Sequence, residues 1–167
     1  MKRLMIAAAL AICLAAPAHA GFIQSQAPCT TCLIFDDSKP AGVMTASAFN
    51  FTAPTAGTAT VNFNGSISCG AAEVGSGHPA AQLEGQIVTS ATAIPSANKP
   101  GGLRLDYVFL PSIPIGHIGT LSLASTVTFK FAAPGAKTFY YRLQRLNVSG
   151  ITSCHVWNAA FTVLFTP

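Results

Sequence analysis

An all-β fold, an antiparallel β-sandwich or jelly roll of about seven to eight strands, is what this sequence predicts. Three observations predict it. Apolar and polar residues alternate with a period of two over several separate segments. Clusters of Gly and Pro divide those segments as turns and loops do. No segment carries a sustained helical period with caps. A chain of 167 residues fits comfortably around one core, so one domain is expected.

Residues 1–20 read as a secretory signal peptide. Lys2 and Arg3 supply the charged start, 4–16 the apolar stretch, and Ala18-His19-Ala20 a small-x-small cleavage site. Pro17 and His19 cut the run short of the roughly 20 apolar residues that a membrane helix needs. The mature chain is expected to start at Gly21, and removing 20 residues from 167 leaves 147. No later stretch is long enough to span a membrane as a helix, so the mature chain is expected to have no transmembrane segment and to be secreted or periplasmic.

Residues 21–42 hold Pro28, Pro40 and the pair Asp36-Asp37, and read as an irregular N-terminal arm with a short strand at 33–35. The β domain follows at 43–167. In 58–69, Val61, Phe63, Gly65, Ile67 and Cys69 share one face, while Thr60, Asn62, Asn64 and Ser66 take the other. Further strands are expected at 83–92, 103–110, 121–131, 138–148 and 154–166. Val127, Phe129 and Phe131 alternate with Thr126, Thr128 and Lys130, and Trp157, Phe161, Val163 and Phe165 are expected on one face of the last strand. The separators are Gly-rich 70–79, 94–102 with Pro95, Pro100 and Gly101-Gly102, 111–119 with two prolines and two glycines, and the compact turn Ala133-Pro134-Gly135.

Composition excludes some functions. Half of the residues are hydrophobic and only 8% are charged, which argues against a disordered chain. Without the signal, nine basic residues become seven against five acidic ones, a net of +2 with no basic cluster to meet phosphates. No nucleic-acid partner is expected. An outer-membrane barrel would need a lipid-facing apolar band, and faces such as Thr126, Thr128 and Lys130 do not supply one.

Cleavage also removes Cys13, leaving Cys29, Cys32, Cys69 and Cys154, an even number that favours two disulfides in an oxidising compartment. Four cysteines allow three pairings. Cys69 with Cys154 and Cys29 with Cys32 is favoured, because the former clamps two strands distant in sequence. Strict alternation sets Cys154 on the face opposite Trp157 and Phe161, so this pairing calls for a bulge near Ser153. The rival pairing, Cys32 with Cys69 and Cys29 with Cys154, would staple the arm to the sandwich.

Two stretches resemble the globular domain of the complement C1q and tumour necrosis factor superfamily. Phe49-Asn50-Phe51-Thr52-Ala53-Pro54-Thr55-Ala56-Gly57, leading into the strand to Cys69, is similar to that family's phenylalanine, proline and glycine turn before a core strand. Asn158-Ala159-Ala160-Phe161-Thr162-Val163-Leu164-Phe165 resembles its closing strand. Thr58 stands where the family commonly has an aromatic residue, and no collagen-like stem precedes the domain. The resemblance implies a jelly roll, a homo-oligomer that is a trimer formed through one face, and ligand binding without catalysis.

Few residues carry a chemical signature. Cys29-Thr30-Thr31-Cys32 lacks the strand-to-helix junction that tunes a redox CxxC, so its role is read as structural. His78, His117 and His155 show no zinc-ligand spacing, and Asp36-Asp37 reads as a solvated turn before a calcium site. No GxSxG, HExxH or phosphate loop is present, and no acids beyond Asp36-Asp37 lie close in sequence. No catalytic residue, metal or cofactor is expected. Tyr140, Arg142, Gln144 and Leu146 share one face of their strand, opposite Phe139, Tyr141, Leu143 and Arg145. Tyr140, Arg142 and Gln144 form the expected ligand or interface surface, suited to a carbohydrate or a protein. A non-catalytic, oligomeric binding or assembly domain follows as the expectation. The alternative is a structural subunit of a surface appendage or coat, although 21–27 offers only Phe22 and Ile23 for strand donation. An exported enzyme would require a pocket with convergent polar groups.

Overall fold

The computed structural model describes residues 21–36, 43–71, 80–108, 118–149 and 151–167. It contains eight strands: β1 (Phe22–Asp36), β2 (Val43–Ala53), β3 (Gly57–Ala71), β4 (Ala80–Val88), β5 (Gly102–Val108), β6 (Ile118–Phe131), β7 (Gly135–Ser149) and β8 (Ile151–Thr166). They form two four-stranded antiparallel sheets, ordered β1-β8-β3-β6 and β2-β7-β4-β5. The pairs β1–β8, β2–β7, β3–β6 and β4–β5 nest inside one another, so the chain is one long hairpin wrapped around a core. That wrapping is a jelly-roll sandwich. The signal segment, Asp37, Glu73, His78, His117 and the 111–117 loop lie outside the described residues.

Period-two patterning builds the core. Val61, Phe63, Ile67 and Cys69 of β3 are fully buried, as their shared face predicts, and lie in one core with Phe139, Tyr141 and Leu143 of β7. Among the described residues five aromatic contacts cross between the sheets, one of them Phe131 with Phe139 at 6.2 Å. Phe63 stacks on Tyr141 at 3.8 Å, and Phe129 meets Phe139 at 5.2 Å, Phe51 meets Phe165 at 5.6 Å and Phe49 meets Phe161 at 5.9 Å. Each such pair adds about 0.5–1.5 kcal/mol beyond its area. Diagonal to Tyr141 and paired with Leu143, Gly85 of β4 leaves room for the ring: a Cβ there would overlap the Tyr141 hydroxyl and lie 2.8 Å from Cζ.

Three features differ from the sequence reading. The expected irregular arm with a strand at 33–35 is a 15-residue strand, β1, hydrogen-bonded along β8. Its hydrophobic signal is weak because the pairing skips register between Gln26 and Cys29 and between Leu33 and Phe35, which breaks alternation. The strand expected at 83–92 stops at Val88.

The third difference lies in β8. Asn64 pairs with Ala160 and Ser66 with Trp157, so Gly65 alone opposes Asn158 and Ala159. The ladder also slips beside Ser153, between Gly70 and Ala71, where a bulge is expected. It is the bulge at Asn158 and Ala159, however, that resets the alternation between Cys154 and Phe161, and Asn158 takes a left-handed φ of 51° that Asn tolerates. Cys154 and Val156 therefore point inward, as do Ala159 and Phe161, while Trp157 turns out and is 40% exposed. Trp157 does not share the face of Phe161. Cys69 and Cys154 are directly opposed across β3 and β8 and form a disulfide, with Cα atoms 4.1 Å apart. The backbone of Cys29 and Cys32 lies on β1, opposite Ala159 and Val156, and their side chains fall outside the described residues.

Candidate functional site

The outer face of the second sheet carries Tyr140, Arg142 and Gln144. Register places Tyr140 between Ala48 and Val88, Arg142 between Thr45 and Gln86, and Gln144 between Val43 and Glu84. Tyr140 and Gln144 are half-buried, whereas Arg142 is only 9% exposed. The cause is the 89–101 connection, which folds back over this face.

Pro95, Pro100 and the flanking glycines keep that connection out of any ladder. Ala93 N–H donates to Ser90 O at 3.3 Å, Lys99 N–H to Ser96 O at 3.2 Å and Gly102 N–H to Lys99 O at 2.8 Å. Gly102 is pressed so close that a Cβ would stand 2.8 Å from Ala97 Cα. Two buried polar side chains hold the loop down. The Gln86 amide donates through Nε2 to Pro100 O at 3.0 Å and accepts at Oε1 from Ser96 N–H at 3.2 Å. Arg142 Nε donates to Ala93 O at 3.2 Å, and its Nη1 donates to Thr45 Oγ1 at 2.6 Å. From the other sheet, Ser125 Oγ donates to Gly101 O. Gln86 and Arg142 are direct cross-strand partners and act as a clamp. The expected ligand surface thus divides: Arg142 is engaged with the loop, and Tyr140, Gln144 and the exposed Leu146 remain on the open part of the face. Sequence reasoning passed over Gln86, because a lone Gln in an alternating strand carries no signal of what will cover it.

A cleft follows from the same geometry. β5 begins at Gly102 beside Gln86, so β4 continues through Ile87 and Val88 with no described strand on that side. Between this stretch and Val127–Phe129 of β6 lies an open cleft of about 440 Å³, walled by Ile87, Val127, Phe129 and Pro100. Lys99 is the one cation lining it, and no carboxylate lines it among the described residues. Its hydroxyls, Thr89, Ser90 and Thr128, have no His or acid beside them in the lining, so the cleft suits binding of an apolar group. Among the described residues no group of three His, Cys, Asp or Glu side chains is arranged to hold a metal.

The outer face of the first sheet is of another character. Thr60 and Thr128 share a hydrogen bond at 3.2 Å, Ser68 and Thr120 one at 2.7 Å, and Thr126 donates to Asn62 Oδ1 at 2.7 Å. Within this field of short polar groups stand Trp157 and the directly paired Ile23 and Leu164, 68% and 41% exposed. His155 lies beside Trp157, with ring centroids 6.1 Å apart. Among the described residues, Lys130 is the only Lys or Arg on this face.

No protein-family model and no curated protein matches the chain. Among solved structures it is similar to the infectious bursal disease virus VP2 subviral particle at 11% identity and a TM-score of 0.17, covering 90% of this chain and 42% of that one. The chain thus spans less than half the length of that protein, and a likeness this distant bears on neither fold nor function.

Proposed function

We propose that this chain is an exported, secreted or periplasmic, non-catalytic domain that works by binding and assembly as a homo-oligomer. The outer face of the first sheet carries the reading: Ile23, Leu164 and Trp157 stand exposed among uncharged Thr, Ser and Asn side chains. Monomer surfaces are ordinarily mixed in charge, and charge depletion around exposed aromatic and aliphatic groups marks a surface that becomes buried. The resemblance to the C1q and tumour necrosis factor domains supports a three-fold assembly through one face. A buried disulfide between distant strands suits an oxidising compartment. The open face around Tyr140 and Gln144 is then left for a carbohydrate or protein ligand.

Sedimentation equilibrium of residues 21–167 at micromolar concentration tests the reading. A mass of three chains, or a multiple of three, is expected. Leu164→Lys combined with Trp157→Ser should reduce that mass while circular dichroism stays unchanged. A single-chain mass for the unaltered protein overturns the assembly reading, and a two-chain mass keeps assembly and removes the three-fold part.

A further inference from the structure

We infer that the free edge of β6 pairs with β6 of a second copy of this chain, antiparallel and about a two-fold axis, joining two first sheets into one continuous sheet. The inference builds on the assembly reading but concerns a different surface, and the two can fail separately.

Four strands lie at sheet edges: β1, β2, β5 and β6. Three of them are blunted in ways that natural sheets use against edge pairing. β1 breaks register twice, β2 breaks it between Thr45 and Ser47, and β5 has only seven residues and carries Arg104. β6 has 14 residues, no proline, no register break against β3 and one charge, Lys130. No described strand pairs with its other side.

The backbone groups facing that edge can be assigned. The 4.1 Å Cα spacing of Cys69 and Cys154 marks a non-hydrogen-bonded pair, so Cys69 directs its N–H and C=O away from β8 and toward Gly119 of β6. β3 and β6 pair without a break, so odd residues of β6 bond β3 and even ones point away from it, toward the side where no described strand lies. Thr120, Ser122, Ala124, Thr126, Thr128 and Lys130 are those even residues, and all six are exposed.

Self-complementarity selects a second copy as the occupant. With Ser125 on the two-fold axis, Ala124 pairs with Thr126, Ser122 with Thr128 and Thr120 with Lys130, extending the hydroxyl pairs already formed with β3. On the inner side Leu123 meets Val127 and Leu121 meets Phe129. Leu121 and Phe129 are only half-buried in the single chain. The partner's Leu121 would lie at the mouth of the cleft beside Phe129, an arrangement in which backbone pairing gives affinity and a side-chain pocket gives register. Antiparallel pairing also sets the two copies of Lys130 about 34 Å apart, whereas parallel pairing in register would stack them.

The test is Ala124→Pro in residues 21–167, which removes an edge-facing N–H and no side-chain bond. The unaltered protein should show an even number of chains: two, or six if a three-fold contact coexists. Ala124→Pro should halve that mass, and exchange of the Thr126 and Thr128 amides should accelerate at least tenfold. Should the proline variant misfold, Ala124→Lys places a charge in the same contact and should give the same halving. Three chains in the unaltered protein, or an unchanged mass in a folded variant, overturns the edge inference and leaves the assembly reading standing. Two chains supports the edge and counts against the three-fold reading, and a single chain overturns both.

Discussion

Replacing Cys69 and Cys154 together by Ala removes a bridge between residues 85 apart in sequence. In the folded protein the two strands are already held by register pairs from Thr58 to Ala71, so the native state loses little order. The unfolded chain gains much more. An uncrosslinked loop of this size, which carries β4 to β7, has about 4.5 kcal/mol more chain entropy to recover. Both sites are fully buried, and the small voids left by Ala add about 1 kcal/mol. Against a stability of about 5–15 kcal/mol for a domain, the loss is large. It corresponds to a fall in Tm of roughly 10–20 °C. Urea unfolding reads it directly, with a second signature: the m-value should rise, because the uncrosslinked chain exposes more surface. A loss under about 1 kcal/mol with an unchanged m-value would refute the chain-entropy reasoning.

Other consequences follow from the packing around Tyr141 and the clamped loop. Gly85→Ala should cost about 1–3 kcal/mol in urea unfolding, because the new methyl overlaps the Tyr141 hydroxyl and ring. Adding Tyr141→Phe should recover part of that loss, and strict additivity would show that the clash is not the cause. Tyr141→Phe alone should not destabilise, and should add about 1 kcal/mol, since the buried hydroxyl has no hydrogen-bond partner among the described residues. Burial pushes that hydroxyl well above its ordinary value of 10.0. The unfolded phenol therefore ionises first: stability is unaffected below pH 10 and falls above it by up to about 1.4 kcal/mol per pH unit. Urea midpoints between pH 9 and 11 should show a shallower fall in Tyr141→Phe, and an identical slope would count against the assignment. Arg142→Lys should release the 89–101 loop, since one ammonium cannot serve Ala93 O and Thr45 Oγ1 as the guanidinium fork does. Limited proteolysis should then cut within 89–101, and full protection would show that Gln86 suffices.

The sequence by itself determined the class of fold and the composition of its core. Val61, Phe63, Ile67 and Cys69 alternate with polar residues, and burying one face of such a strand requires a second sheet opposite. It also marked Cys69 and Cys154 as partners, because each stands near the end of a strand. What it could not determine are matters of register. Most of β1 carries no strand signal because two breaks in its pairing scramble the period, and alternation alone sets Trp157 on the face of Phe161 because nothing local announces the extra residue at Asn158. The bulge is stabilised by what lies across from it, Gly65, which belongs to another strand. The clamp of Gln86 and Arg142 is likewise decided by a loop that folds onto them from outside their strands. The open edge of β6 follows from sheet order, which sets no described strand beside it. Alternation says which side of a strand is buried; only the tertiary structure sets which strands are neighbours, where a ladder slips, and which edge is left without a partner.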